Sequence, residues 1–518
     1  MKNDIINRIL EIVPGIFIWL LITIPLWGGL TLPSIIINLI VILAVYWLYR
    51  AMVTMIFMFV GLYYYKRDIK VDWLEKCKNL DFSSLPEPET LPKTTQLPYH
   101  LIVIANYGEE YEIIKRSIDS IINQNYPLEN IFITVSIEER KAKKDTEYAQ
   151  RGEKLKMDFG DLLGERLFFS IHPENIPNEA VGAASNRTWG TKKSVERLEK
   201  MGYNIEEFLI TAPDGDLVFD RNYFAALTYK WLVSEKRNNK FYQTGVYTFN
   251  NNYWDVPILI RSLMINLTLP VLASSIFEKY KRETWSCFTL NLKLMKDVDY
   301  WDTTIHVGAD DTTFFWRPYF YLNGDWTCEV FFVSLSADAV YHPNYFINHI
   351  DQYKQYQRWG WGVITFPLAI RGLLLHSRIS FIEKVRKIIH LLEVFVFWKV
   401  FAFLVILGIP IIFLVNPQIS EYTIGYYAAN TVSVLLTIAY LAIIPAVYVK
   451  LNLIPPKPQK MSKIKFWFLI IIETPLNVIN LFTYSFIPFV DATTRMMLGQ
   501  ARKSKVVWSE KRLKSKSN

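Results

Sequence analysis

Long apolar runs stand near the two ends of the chain and are absent from most of its middle. Residues 12–30 carry no charge, and residues 33–65 are interrupted only by Arg50. Each run supplies the roughly 20 residues that an α-helix needs to cross a bilayer core. We therefore predict two membrane helices joined by a tight turn at 31–33. Arg50 would either serve a function inside the membrane or face neighbouring helices and snorkel.

The C-terminal third repeats this pattern with more interruptions. It predicts an interfacial helix, two spanning helices and a last apolar segment, in this order: 363–376, 391–415, 423–449 and 466–490. A short polar turn around Asn416 and Pro417 joins the two spans. Glu473, Pro475 and Asn477 interrupt the last segment, which we expect to be broken.

Positive charges beside the apolar runs predict which side of the membrane each loop faces. Lys66, Arg67 and Lys70 follow the second run, so the positive-inside rule places residue 66 onward in the cytosol. The five lysines of loop 450–465 and the basic tail from Arg502 predict the same side. A single crossing by the last segment would put that tail outside. We expect a re-entrant segment or a hairpin, the alternative being that the charge rule fails here.

The middle of the chain is water-soluble in composition and alternates strands with helices. Short apolar runs that do not alternate, each followed by a helical segment, are typical of a parallel sheet covered on both faces. The predicted strands are 101–105, 131–137, 167–171, 207–212 and 241–249, and the predicted helices are 111–125, 141–159 and 181–201. Residues 256–280 are apolar and interrupted by proline, which predicts packing on the membrane surface or in a core.

Composition agrees with a membrane protein and excludes some alternatives. At 518 residues, 51% hydrophobic and 15% aromatic, the chain is long enough for several domains and more apolar than a typical soluble enzyme. Its +8 charge lies beside apolar segments and at the C-terminus, which favours a membrane surface over nucleic acid as a partner. Cys77, Cys287 and Cys328 lack paired spacing, so we predict reduced thiols without disulfides or a zinc cluster.

Two carboxylates follow the fourth predicted strand, where Asp214 and Asp216 flank a single glycine. Unpaired carboxylates cost several kcal/mol to bury, and a divalent cation such as Mg²⁺ or Mn²⁺ would remove that cost. The alternative is an Asp-Gly turn in a solvated hairpin. Ligands of such sheets bind at the carboxyl ends of the strands. Asn106, Tyr107 and Glu109 close the first strand, and Glu138 and Glu139 close the second.

Two later motifs carry further chemistry. Asp310 and Asp311 are adjacent carboxylates ahead of an aromatic helix, and one of such a pair has a raised pKa, which suits a general base. Their alternative is an acidic helix N-cap. Residues 351–362 place Gln355, Arg358 and Trp359 on a polar, aromatic helix next to apolar sequence. The alternative for the arginine and tryptophan is a cation–π pair on the surface.

In this order, the motifs resemble those of the family 2 membrane glycosyltransferases, which include cellulose, chitin and hyaluronan synthases. The resemblance covers roughly residues 98–365 and the layout of membrane segments. It implies an α/β GT-A domain, Rossmann-like with a mostly parallel sheet, placed in the cytosol between transmembrane helices. The implied domains are a two-helix anchor, a linker, the GT-A domain, interfacial and transmembrane helices, and a basic cytosolic tail: 1–70, 71–98, 99–362, 363–500 and 501–518.

The resemblance implies roles for the acidic residues. Asp214 and Asp216 would hold Mg²⁺ or Mn²⁺ against the diphosphate of a nucleotide sugar, with Asp216 the more direct ligand. Asp311 would be the general base, with Asp310 at the position where the family carries glutamate.

Other residues would contact the substrates. Gln355, Arg358 and Trp359 would close over the site, the arginine facing the diphosphate and the tryptophan stacking on the acceptor sugar. The strand-end residues would bind the nucleotide sugar, with a carboxylate accepting the N–H of the base: Asn106, Tyr107, Glu109, Glu138, Glu139 and Asp214. Trp301 and Asp302 would frame the acceptor entrance or form a turn.

This sequence departs from the family at two positions. The lysine that usually precedes the asparagine of segment 181–186 is absent, and Arg187, Lys192 or Lys193 would take the phosphate instead. Ala309 stands where threonine is usual, at a position not expected to do chemistry.

The expected protein is an integral enzyme of the plasma or inner membrane. It would transfer a sugar, with inversion, from a nucleotide sugar to a growing β-linked glycan, by single additions or processively. A second hypothesis is a polyprenyl-phosphate or other lipid-acceptor transferase, which shares the fold and D-x-D but normally lacks the Q-x-x-R-W helix. A third, of another class, is an inactive membrane scaffold or transporter.

Overall fold

The computed structural model describes residues 2–93, 97–441, 443–501 and 512. Its described residues form two compact units. The helical unit comprises Met1–Leu62, Pro257–Ser274 and His349–Lys503, and the sheet unit contains Tyr63–Val256 and Ser275–Asn348. The predicted tail, 501–518, lies outside the described residues except for Ala501 and Arg512.

Ten strands lie in the sheet unit. In chain order they are β1 Tyr99–Asn106, β2 Ile131–Glu138, β3 Leu167–His172, β4 Phe208–Thr211, β5 Val218–Phe219, β6 Lys240–Thr244, β7 Tyr247–Thr248, β8 Thr289–Asn291, β9 Thr327–Phe331 and β10 Leu335–Ser336. Seven of them form one sheet in the order β3-β2-β1-β4-β8-β6-β9, and three short strands form a second sheet in the order β5-β10-β7.

The α-helices are distributed over both units. In chain order they are α1 Lys2–Thr31, α2 Pro33–Asp68, α3 Trp73–Lys78, α4 Tyr111–Ile122, α5 Glu139–Ala142, α6 Thr146–Ala149, α7 Arg151–Leu163, α8 Ala183–Lys200, α9 Tyr223–Val233, α10 Ile258–Phe277, α11 Leu292–Asp297, α12 Asp310–Phe314, α13 Trp316–Tyr321, α14 Tyr345–Gly360, α15 Thr365–Leu375, α16 Phe381–Leu392, α17 Trp398–Val415, α18 Thr423–Leu441, α19 Ile443–Leu453, α20 Lys463–Asn480 and α21 Ile487–Met497.

The large sheet is mixed and mostly parallel. Strands β1 to β4 pair in parallel, as do β6 and β9, whereas β8 is antiparallel to β4 and to β6. Strand β2 is buried along its whole length, which explains the continuous apolar run that predicted it. The prediction of a mostly parallel sheet is thus confirmed, and the antiparallel β8 was not foreseen.

Two predicted elements are divided in the structure. The predicted strand 241–249 splits into β6 and β7 because Thr244 turns the chain: its hydroxyl donates to Val333 O and accepts from Val246 N. The predicted helix 141–159 is three helices, α5 to α7. Asp145 caps α6 through Tyr148 N, and the Tyr148 hydroxyl turns inward between Asn106 O and Glu138 N.

The described part of the predicted linker packs on the sheet unit. Leu85, Leu91 and Leu97 are buried. The guanidinium of Arg237, itself buried, donates to Pro86 O and, at 3.1 Å, to the Thr90 hydroxyl. Although its composition is polar, this segment is therefore held in place, because it accepts hydrogen bonds from a buried guanidinium.

Apolar contacts between helices hold the helical unit together. Ile36, Ile37 and Ile40 of α2 pack with Val405 and Ile409 of α17. Arg50 lies inside this bundle, with its guanidinium carbon 5.1 Å from the centre of the Trp398 ring. The structure therefore favours the bundle-facing hypothesis for Arg50.

Six helical segments are long and apolar enough to cross a membrane, judged by length and composition: Ile5–Thr31, Pro33–Asp68, Ile258–Phe277, Phe381–Val415, Thr423–Leu453 and Lys463–Met497. They include all four predicted spans and support association with a membrane. The segment 256–280 contains one continuous helix, α10, with Pro270 inside it.

The last apolar segment is a continuous helical run, so the predicted break is wrong. A π-helical stretch, Leu481–Phe486, connects α20 to α21. The polar residue expected to break the helix is paired instead. Glu473, only 1% exposed, accepts from Arg261 Nε at 2.7 Å and from Lys450 Nζ. Pairing removes most of the cost of burying the charge, so the helix continues.

Contacts with other helices hold this run within the helical unit. Near its C-terminal end, Arg8 of α1 donates to Met496 O at 3.0 Å. In its first half, Glu473 pairs with Lys450 of α19, and α19 contacts α2 where the rings of Phe59 and Tyr448 stack with centres 6.1 Å apart. Whether the run crosses the membrane or re-enters it stays a prediction.

Candidate active site

The D-x-D carboxylates lie at the carboxyl end of β4, beside the end of β1. Asp214 forms an isolated parallel bridge with Ala105, and its side chain is 48% exposed. Asp216 is buried. A Cβ on the intervening Gly215 would lie 2.5 Å from Ile114 Cδ1, so a larger residue there would displace this methyl group. A solvated hairpin turn does not bury its second aspartate, which weakens that alternative.

Asp216 is held by residues that follow β7 and β10. Its Oδ2 accepts from the backbone N–H of Asp338 at 2.9 Å. Asn251 donates through Nδ2 both to Asp216 O at 2.9 Å and to Ser336 O at 3.1 Å. The Asp338 carboxylate in turn accepts from Arg116 at 2.7 Å. Sequence reasoning missed these residues, although three consecutive asparagines at 250–252 were a visible signal.

Arg187, on the first turns of α8, joins the two acidic motifs. Its Nη2 donates to Asp214 Oδ1 at 2.7 Å, and its Nη1 donates to Asp310 Oδ2 at 2.7 Å and to Asp311 Oδ1 at 2.8 Å. The arginine side chain is 2% exposed. The structure thus brings Asp214, Asp310 and Asp311 together around a guanidinium that sequence reasoning treated only as a substitute phosphate ligand.

The acidic N-cap alternative for Asp310 and Asp311 is not what the structure shows. The N-cap of α12 is Ala309, which makes no side-chain cap bond. Both carboxylates turn to Arg187 instead. The hydroxyl of Thr284 also donates to Asp311 O at 2.6 Å and helps to fix the start of this helix.

Three carboxylates against one guanidinium leave an excess of negative charge. Burial raises the pKa of Asp311 well above its usual value, and the charges of Asp310 and Asp214 raise it further, against the lowering effect of Arg187. Burial alone would lower the pKa of Arg187, but the surrounding carboxylates outweigh burial and raise it. The arginine stays charged, and Asp311 takes a proton more readily than an ordinary aspartate.

The residues after β1 form a compact loop next to the D-x-D motif. The carboxylate of Glu109 accepts from Asn106 Nδ2 at 2.9 Å and from Tyr107 N at 3.0 Å. Arg151 donates to Asn106 Oδ1 at 2.6 Å and to Glu109 O at 2.9 Å. Burial raises the pKa of Glu109, and the charges of the D-x-D pair add to that rise. Asn106 and Glu109 therefore shape the loop through their own contacts.

The two glutamates after β2 differ in what they contact. Glu138 is buried, and its Oε2 accepts from His172 Nδ1 at 2.8 Å and from Asn186 Nδ2 at 3.2 Å. Glu139 is 34% exposed and accepts from Glu174 N at 2.9 Å. Glu138 thus positions Asn186, the residue before Arg187. Of the two glutamates, Glu139 has the carboxylate that is more accessible to a nucleobase. His172, which the sequence analysis did not single out, is the buried partner of Glu138.

The other basic candidates lie outside the cluster. Lys192 pairs with Asp299 at 3.1 Å, and Lys193 pairs with Glu196 at 2.8 Å. Among the three cations named from the sequence, Arg187 alone contacts the carboxylates in the part of the chain that the structure describes.

Trp301 and Asp302 have separate structural contacts. The Trp301 ring is buried, with its centre 5.5 Å from that of Phe314. Asp302 accepts from Thr304 N at 2.9 Å, which is a local turn. These contacts favour the turn alternative for Asp302.

The predicted Q-x-x-R-W residues lie on α14, in the helical unit. Gln355 is buried and accepts from Gln352 Nε2 at 3.1 Å. The ring of Trp359 packs 4.7 Å from that of Tyr356. Arg358 is on the same helix. The acidic cluster belongs to the sheet unit, so closure of α14 over it stays a prediction.

A divalent cation fits this site by the chemistry of its donors. Among the described residues, no group of three or more His, Cys, Asp or Glu side chains is arranged to hold a metal. Mg²⁺ commonly takes one or two carboxylates and completes its shell with water and substrate phosphates. Asp214 and Asp216 could supply those carboxylates, the first of them from an exposed position.

Comparison with solved structures returns sugar-nucleotide complexes. The chain is similar to the mannosyltransferase PcManGT from Pyrobaculum calidifontis in complex with GDP-Man and Mn²⁺, at 14% identity and a TM-score of 0.37 over 85% of this chain and 98% of that chain. It is also similar to S. aureus TarS 1-349 in complex with UDP-GlcNAc, at 12% identity and a TM-score of 0.35 over 77% and 92%.

The TarS 1-349 complex with UDP gives 12% identity and a TM-score of 0.36 over 78% of this chain and 92% of that chain. No protein-family model matches the chain, and no curated protein sequence matches it.

Proposed function

We propose that the protein is a membrane-embedded, inverting glycosyltransferase of the family 2 type, which moves a sugar from a nucleotide sugar, with UDP as the expected nucleotide, to a growing β-linked glycan. The observation that carries this proposal is the convergence of Asp214, Asp310 and Asp311 on Arg187. Two acidic motifs that are distant in sequence share one guanidinium at the carboxyl ends of a mostly parallel sheet, which is where such sheets bind ligands.

The reaction would be one displacement at the anomeric carbon. Asp311 takes the proton of the acceptor hydroxyl, and that oxygen forms a bond to the anomeric carbon on the face opposite the diphosphate. The bond from this carbon to the diphosphate oxygen breaks, and the electron pair leaves with the nucleoside diphosphate. The raised pKa of Asp311 supports this role, because a carboxylate with a raised pKa is a stronger base than an ordinary carboxylate.

Asp214 and Asp216 would hold Mg²⁺ or Mn²⁺, which supplies positive charge to the leaving diphosphate when bound. Arg187 lies next to this position and can donate to the same phosphates through Nη2. Tyr107 and Glu139 are the proposed contacts of the base, since Glu138 and Asn106 are engaged internally. Gln355, Arg358 and Trp359 would bind the acceptor and the diphosphate if α14 covers the site.

Two other hypotheses remain open to the same experiment. A lipid-acceptor transferase would use the same cluster and would deliver the sugar to a polyprenyl phosphate. An inactive scaffold or transporter would show no turnover, and the crowding of three carboxylates around the single guanidinium of Arg187 argues against it, because such an excess of negative charge is costly to keep without use.

The test is turnover by the full chain in detergent with Mn²⁺ or Mg²⁺ and a panel of UDP and GDP sugars. We expect release of nucleoside diphosphate that stops with EDTA and returns with added metal. High-mass product would identify a polymer synthase, and solvent-extractable product would identify a lipid transferase. No diphosphate release with any donor, in detergent and in reconstituted vesicles, would refute the glycosyltransferase proposal.

A further inference from the structure

The guanidinium of Arg187 occupies the position where a cation would be expected among the acids. It is 2% exposed and donates to three carboxylates at 2.7–2.8 Å. Apart from these bonds, Asp214 differs from its partners in accessibility: its side chain is 48% exposed, against 13% for Asp310 and 23% for Asp311. A cation arriving from solvent therefore meets Asp214 first.

We propose that Arg187 and the divalent cation exchange at Asp214, so that the arginine is a built-in competitor for the metal. This inference rests on the proposed function, and it adds that Arg187 lowers the metal affinity of the empty site. The Oδ1 that accepts from Nη2 belongs to Asp214, the most exposed of the three carboxylates around Arg187. When the metal takes this oxygen, Nη2 loses its acceptor, while Nη1 keeps Asp310 and Asp311.

The released Nη2 would then be directed at the diphosphate that the metal accompanies. The guanidinium remains anchored, because Nη1 still bonds the carboxylates at the start of α12. Arginine suits this exchange because its planar fork bonds two groups at once, whereas lysine offers a single point charge. The ion pair between Arg187 and Asp214 would thereby be replaced by two ionic contacts, one between Asp214 and the metal and one between Arg187 and the phosphate.

The position of Arg187 is also well supported. Asn186, the residue before it, donates to the buried Glu138 at 3.2 Å, and the carbonyl of Arg187 accepts from the Thr191 hydroxyl at 2.7 Å. These two contacts hold the start of α8 in place around Arg187. Only Nη2 of the guanidinium has to change its hydrogen-bond partner.

Mn²⁺ binding to the full chain in detergent, without donor, tests this inference through the electron paramagnetic resonance signal of free Mn²⁺. Arg187→Ala should bind Mn²⁺ about tenfold more tightly or better, which corresponds to about 1.4 kcal/mol. Arg187→Lys should fall between the two. Millimolar guanidinium added to Arg187→Ala should weaken Mn²⁺ binding again, which a merely structural role would not predict.

Arg237→Lys is the matched control. Arg237 is also buried, but it lies away from the acidic cluster, where it holds segment 86–90. Its Mn²⁺ affinity should equal that of the wild type. If Arg187→Ala does not fold, Arg187→Lys decides the question in the same assay. Unchanged or weaker Mn²⁺ binding in the Arg187 variant, with a wild type that binds Mn²⁺ and turns over, would overturn the exchange. A wild type that neither binds Mn²⁺ nor releases diphosphate would instead refute the proposed function.

Discussion

The backbone N–H of Asp338 donates to Oδ2 of Asp216 at 2.9 Å, and this bond ties the D-x-D motif to the segment after β10. The contact helps to fix the orientation of this buried carboxylate. Asn251 reinforces it by bridging Asp216 O and Ser336 O. Positioning of the proposed metal ligand therefore depends on residues far from it in sequence.

Asn251→Ala should lower the rate of transfer at least tenfold while the protein stays folded. The variant loses two hydrogen bonds, one to Asp216 O and one to Ser336 O, each contributing about 1 kcal/mol to stability. Initial rates of diphosphate release and thermal unfolding in detergent measure the two effects. Asn239→Ala, which removes a hydrogen bond to Asp325 of 3.1 Å at the other edge of the sheet, is the control and should keep the wild-type rate. Equal rates for both variants would contradict a positioning role.

Asp311→Asn should abolish transfer and leave binding of the nucleoside diphosphate largely intact. The amide keeps the size of the side chain but cannot accept the acceptor's proton. Because burial raises the pKa of Asp311, the wild-type rate should fall on acidification at a pH well above the usual range of aspartate. Rates across pH and binding of labelled UDP measure both. Normal turnover by Asp311→Asn would remove this residue as the base.

His172→Gln should reduce stability in a pH-dependent manner. Burial lowers the pKa of His172, but hydrogen bonds to Glu138 and Glu179 outweigh burial and raise this pKa above the ordinary value of histidine, about 6.5. The protonated imidazole is thus stabilised in the folded protein, and this contribution is complete below pH 6.5 and is lost as pH rises through the higher folded value.

The difference in melting temperature between wild type and His172→Gln should therefore be largest on the acidic side and shrink on the alkaline side. His306→Gln, at an exposed position of the same unit, is the control. A difference in melting temperature that grows with pH would show that folding lowers the pKa of His172 instead of raising it.

Glu473→Gln should destabilise the helical unit by about 3–5 kcal/mol, since removing one partner of a buried ionic group leaves the others uncompensated. Arg261 and Lys450 both contact this carboxylate, and all three side chains are at least nine-tenths buried. The combined replacement Glu473→Leu, Arg261→Met and Lys450→Met should recover most of the loss. Melting curves in detergent compare them, and a melting temperature unchanged by Glu473→Gln alone would contradict a buried, paired network.

Much of the architecture followed from the sequence alone because it depends on local composition. Apolar runs of membrane length at 12–30 and 33–65, the second with Arg50 as its one charge, have no favourable alternative to a helix, and the fully buried β2 shows as an unbroken apolar stretch. The carboxyl ends of parallel strands share one edge, which located the acids at 214 and 216 and the loop at 106–109. Antiparallel β8 was not predictable, because three residues carry too little pattern to show their direction.

The partners of charged groups were decided only by the tertiary structure. Arg187 lies on a helix whose sequence has cations at several positions, and nothing local distinguishes it from Lys192 or Lys193. Glu473 was expected to break a helix, yet Arg261 and Lys450 from other helices neutralise it. A charge is stabilised by whichever opposite charge the fold brings within about 3 Å, and Coulomb energy depends on distance in space rather than on separation along the chain.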